Sequence, residues 1–136
     1  MMLKTARSYI QVLIHGEHWW AEMWSGFMLA TFGGVCFFVE PYSLVRASST
    51  HNYFVLLPNG FWQVLLLLSG LFQIAALFGG QRWPRGAAAF LAAFFYAWTT
   101  CSELAYSTGL HPIVLFTAGW VGVNMFAISR VVSGLR

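Results

Sequence analysis

Four separate runs of about 20 mainly apolar residues, each long enough to cross a hydrocarbon core of roughly 30 Å, constrain this chain more than any other feature. They fall at about 20–39, 61–79, 87–106 and 112–128. The first ends at Glu40-Pro41, and the second is entered through Leu57-Pro58-Asn59-Gly60. The third follows the hinge Gln81-Arg82-Trp83-Pro84-Arg85-Gly86, and Pro112 opens the fourth, where proline suits a first helical turn. Hydrocarbon offers the backbone no hydrogen-bond partner, so a span is either a helix or part of a closed barrel. These runs are continuously apolar rather than alternating, which excludes the barrel.

Composition agrees. Only 8% of the 136 residues are charged, against roughly 25% in a typical soluble domain. A water-soluble fold of this length needs a polar surface that the chain cannot supply. Seven Trp and thirteen Phe suit a surface that meets lipid and its interface. The expected architecture is therefore an all-α integral membrane protein, a single domain over 1–136 built as an up-down bundle of four transmembrane helices.

Ahead of the first run, Leu3, Ala6, Ile10, Leu13 and Ile14 share one helical face, opposite Lys4, Ser8, Gln11, His15 and His18. This period predicts an N-terminal amphipathic helix over 1–18 lying on the membrane surface. Residues 40–60 form the longest connection, with an apolar patch at Tyr53–Leu57 too short to cross. With four spans, Lys4, Arg7, Arg82, Arg85, Arg130 and Arg136 share one side and Arg46 alone occupies the other. The excess of positive residues predicts that both termini are cytoplasmic.

Two kinds of residue stand out within the spans. Gly26, Ala30 and Gly34 repeat every fourth position in the first, Ala89, Ala93 and Ala97 in the third, and Ala118 and Gly122 in the fourth. Such rows let helix backbones approach closely, for packing inside the bundle or between copies. The second kind is polar. The topology sets Gln73 beside Asn124, slightly cytoplasmic of the bilayer centre, and Gln63 beside Glu103 near the outer side. These four are the candidate intramembrane seam, either interhelical hydrogen bonds or the lining of a path. Thr99, Thr100, Ser102 and Thr117 add hydroxyls. Glu103 is the candidate for a transport role, since an ionisable group in a span is a functional candidate by default. Glu22 sits near the cytoplasmic face, within reach of Arg82 or Arg85.

Other chemistry finds little support. His15, His18, His51 and His111 all fall in flanks or loops, so paired haem ligation inside a bundle is not expected. His15 and His18 alone make a weak metal signal. Cys36 and Cys101 form no C-x-x-C pair; they lie near the outer ends of outward-running helices, where a disulfide or two buried thiols are both open. With no nucleophile–base pair, phosphate loop or metal cluster, no catalytic residue, cofactor or metal is expected, nor is nucleic acid a partner.

The stretch Phe61–Thr100, FWQVLLLLSGLFQIAALFGGQRWPRGAAAFLAAFFYAWTT, joins a Trp-started span, a short Arg-Trp-x-Arg turn and an Ala/Phe-rich return span. In this it resembles small phage-encoded multi-spanning membrane proteins of holin-like type. The resemblance implies a non-enzymatic, oligomerising protein that alters the host inner membrane, as a lysis pore or a factor blocking superinfection. Two departures matter: the dense basic tail common in holins is reduced to Arg130 and Arg136, and four spans exceed their usual one to three. The alternatives from the residues are an accessory subunit of a larger membrane complex and a small transporter using Glu103.

Overall fold

The computed structural model describes residues 18–38, 61–106 and 112–134, and these are helical almost throughout. The helices are α1 (Trp19–Phe38), α2 (Phe61–Gly79), α3 (Arg82–Tyr106) and α4 (Pro112–Ser133). The surface helix expected over 1–18 and the apolar patch of the 40–60 connection lie outside the described residues.

Helix boundaries follow local chemistry. α2 stops at Gly79 because Gly80 takes the left-handed conformation (φ 65°), which a glycine adopts without steric cost. Gly134 (φ 76°) ends α4 in the same way. α3 starts at Arg82, five residues before the expected entry at Ala87, because Pro84 lies in a first turn that needs no N–H there. α4 likewise continues past Ile128 to Ser133.

Contacts run antiparallel along consecutive helices. Gly26 meets Gly70, Gln73 and Ile74, while Gly33 meets Gln63, Leu66 and Leu67, so α1 and α2 descend past one another. Thr100 meets Thr117 and Gly86 meets Val131, which sets α3 against α4 in opposite senses. The two hairpins join mainly across α2 and α3. Their shared core is Leu29, Trp62, Leu66, Ala92, Phe95 and Tyr96, with Trp98, Trp120 and Val121 against its edge. Tyr96 stacks on Trp120 with ring centroids 6.1 Å apart, and Trp62 meets Phe95 edge-on at 6.2 Å.

The small-residue rows seat the helices, with one shift. Gly26 and Ala30 face α2, but the row continues at Gly33, and Gly34 opens onto empty space. A helix turns every 3.6 residues, so the third member of a seam falls seven positions on from Gly26 rather than eight. In α3, Ala89 and Ala93 are buried, together with Ala88 and Ala92, while Ala97 is half-buried. Ala118 and Gly122 face outward.

Large apolar side chains cover the outside: Trp20, Phe27, Phe38, Leu68, Phe90, Leu115 and Phe126 are all exposed. Three of the four helices, α1, α2 and α4, are long and apolar enough to cross a membrane. α3 has the length, at 25 residues, but falls short in apolarity. Its Tyr, Trp and Thr residues and its flanking Arg82, Arg85 and Glu103 lower its mean hydropathy.

Candidate functional site: a polar core shared by four helices

Most of the buried polar groups among the described residues, Gln63 and Ser69 apart, gather in three levels along the bundle. The middle one involves every helix. Ser25 on α1 donates from Oγ to Gln73 Oε1 on α2 at 3.3 Å. Gln73 Nε2 donates to Asn124 Oδ1 on α4 at 2.7 Å. Asn124 Nδ2 closes the ring by donating to Ser25 Oγ at 2.7 Å, and it also donates to the Trp120 carbonyl at 2.8 Å. From α3, the Tyr96 hydroxyl donates to the Ser25 backbone carbonyl at 2.8 Å. Ser25 and Asn124 are 0% exposed and Gln73 is 1% exposed, so the ring is dry.

Each member of this ring both donates and accepts. An unpaired amide in an apolar medium costs several kcal/mol, a carboxamide that finds its partners much less. The chemistry of the ring is equally defined. Ser25 Oγ is held between two carboxamides, and neither has a basic lone pair to take its proton, so nothing here activates it as a nucleophile.

Three residues along α1 towards its start, about 4.5 Å of helix rise, Glu22 forms the second level. Its carboxylate, 3% exposed, receives two bonds from the Arg85 guanidinium, Nε to Oε2 at 2.7 Å and Nη2 to Oε1 at 2.5 Å. Of the two arginines within reach on the sequence, Arg85 is therefore the partner. Arg82, one turn earlier on α3, instead donates to the Val131 carbonyl at 2.6 Å, filling one of the carbonyls that the end of α4 leaves open. The third level lies towards the other end. Thr100 Oγ1 donates to Thr117 Oγ1 at 2.7 Å, and Thr117 donates back to the Ile113 carbonyl at 2.9 Å.

Of the four expected seam residues, the structure brings Gln73 and Asn124 into direct contact. Gln63 is buried on α2, and its Oε1 has no hydrogen-bond partner among the described residues. Glu103 lies within α3, but its side chain is outside the described residues. Sequence reasoning missed Ser25 and Tyr96. Ser25 had a legible signal, a hydroxyl on the same face as Glu22 and Leu29 in an otherwise apolar run. Tyr96 had none, because a tyrosine among Phe94, Phe95 and Trp98 reads as one more aromatic. Cys36 is buried and Cys101 exposed, both as free thiols. Among the described residues, no group of three His, Cys, Asp or Glu gathers to hold a metal.

Comparison with known protein families, curated proteins and solved structures finds no match.

Proposed function

We propose that this chain is a non-enzymatic integral membrane protein of a bacterial inner membrane. All four helices span, and both termini and the α2–α3 turn are cytoplasmic. It acts by associating in the bilayer, with copies of itself in the phage-type reading, rather than through a path along its own axis. The dry, closed ring of Ser25, Gln73 and Asn124 carries this reading. A conducting path at that level would need its polar groups turned towards water, and here they are bonded to one another. The ring is interhelical glue, and the surface left to act with is the outside.

α4 offers the most of that surface. Only 22% of its apolar stretch is buried, against 44% for α2. Ala118 is exposed on it, and Gly119 and Gly122 have open space where a side chain would stand. Small residues on a lipid-facing helix allow a second helix to approach closely. The fourth span is supported by where α3 keeps its polar atoms. Thr99 bonds the carbonyl one turn back, Thr100 bonds Thr117 on α4, and Tyr96 bonds α1, so its low apolarity overstates its cost in lipid.

The test is expression of the chain alone in a bacterium, with cross-linking, membrane potential and growth followed together. The expected outcome is a homo-oligomer and a fall in potential at high expression. A monomer in mild detergent, with potential and growth unchanged, overturns the proposal. A stable complex with other membrane subunits on a native gel replaces it with the accessory-subunit reading.

A further inference from the structure

The corner where the α2–α3 turn meets the end of α4 carries charge that the bundle does not use. Among the charged side chains described at this end, Glu22 and Arg85 cancel in their two-bond pair. Arg82 and Arg130 have no such counter-charge. Arg82 is exposed, and its bond to the Val131 carbonyl spends one nitrogen while fixing the guanidinium at the corner. Arg130 immediately precedes Val131 and is half-buried on the same last turns of α4. Next to Arg82, Trp83 is 83% exposed, an indole with its ring outside the bundle.

We infer that this corner binds the headgroup of an anionic phospholipid, with Arg82 and Arg130 taking the phosphate and Trp83 lying at the acyl boundary. The inference rests on the proposed membrane topology, which sets this end in the cytoplasmic leaflet where anionic lipid attracts basic residues. Three physical features converge. Arginine presents a planar fork that matches phosphate oxygens, and the Arg82 guanidinium, already held through Nη2, loses little freedom on binding with its remaining N–H groups. Indole rings favour the headgroup level, where one edge meets water and the other lipid. The sequence adds to the field: on this side Lys4, Arg7, Arg82, Arg85, Arg130 and Arg136 stand against only Glu17 and Glu22.

The experiment uses the full chain in nanodiscs that mix phosphatidylcholine and phosphatidylglycerol, followed by native mass spectrometry through stepwise delipidation. The wild type is expected to retain phosphatidylglycerol preferentially. Arg82→Gln and Arg130→Gln each lower that retention roughly fivefold. Because Arg82 also caps α4, its variant is checked by thermal unfolding. Arg130→Gln, which leaves that cap in place, carries the result if Arg82→Gln does not fold. Equal retention of the two lipids by the wild type, or unchanged retention in Arg130→Gln, overturns the inference. Loss of the bound anion on adding inorganic phosphate, with no preference for the lipid, also overturns it, because the site then takes free anions. Release of the chain from membranes by alkaline carbonate would instead defeat the topology beneath it, so the two failures are distinguishable.

Discussion

Asn124 holds three helices at once: its amide accepts from Gln73 on α2, donates to Ser25 on α1, and donates to its own helix at Trp120. The net worth of one interhelical hydrogen bond in lipid averages only about 0.6 kcal/mol. Leaving a buried partner unsatisfied costs more, about 1–3 kcal/mol. The second effect governs a single substitution here, because Gln73 and Ser25 have no water to turn to. Asn124→Leu is therefore expected to destabilise the bundle by about 1–3 kcal/mol in detergent unfolding. Replacing the whole ring, as Ser25→Ala with Gln73→Leu and Asn124→Leu, should recover most of that loss, since no orphan remains. A triple variant weaker by the sum of its single costs would show that the ring contributes net attraction, not only mutual satisfaction. The same asymmetry applies to Glu22. Its carboxylate is 3% exposed while Arg85 is 32% exposed, so loss of the arginine strands a buried charge and loss of the glutamate does not.

Among the helices, α1 and α2 approach closely enough for backbone to meet backbone. A methyl group added at Gly70 would meet the Ala30 nitrogen, the Gly26 carbonyl oxygen at 2.6 Å and the Ala30 Cα at 2.8 Å. Backbone cannot swing aside as a side chain can, so the helices would have to separate. Gly70→Ala is expected to cost about 1–3 kcal/mol through overpacking. Gly34→Ala and Gly79→Ala meet nothing within 4 Å and should be neutral, or stabilising by up to about 1 kcal/mol through helix propensity. Thermal unfolding of the three variants checks this directly. If Gly34→Ala were as damaging as Gly70→Ala, the α1–α2 seam would be placed on the wrong face. The seam was only partly legible beforehand. Spacing by fours finds Gly26 and Ala30, but drifts off the contact line by the third member, where the true helical period selects Gly33.

For the molecule as a whole, the question is how many helices cross. α3 is about 37 Å long at 1.5 Å per residue, runs antiparallel to α4, and turns Phe90, Leu91 and Phe94 outward while Ala88, Ala89, Ala92 and Ala93 face in. That is the cross-section of a helix packed in a bundle with one apolar face turned outward, as the proposed fourth span requires. Four crossings return the C terminus to the side of the α2–α3 turn, whereas three leave it opposite. Reporter fusions after Gly80 and at the C terminus are expected to report the cytoplasm, and a fusion within residues 40–60 the other side. A C-terminal fusion active on the outer side would remove α3 from the spans.

By itself, the sequence determined that the chain is helical, where its apolar runs lie, and which residue types need partners inside them. Those are consequences of local composition: hydrocarbon-length apolar runs, few charges, and glycine or proline at their ends. It also placed Gln73 and Asn124 at one depth, because depth along a span is a matter of counting residues. Only the tertiary structure decided which faces meet. It brought Ser25 into the ring, sent Tyr96 across to α1, chose Arg85 over Arg82 for Glu22, and turned Gly33 inward and Gly34 out. Rotation about a helix axis is set by packing against neighbours far along the chain. Ser25 and Asn124 stand 99 positions apart, and no local pattern in either run specifies that they meet.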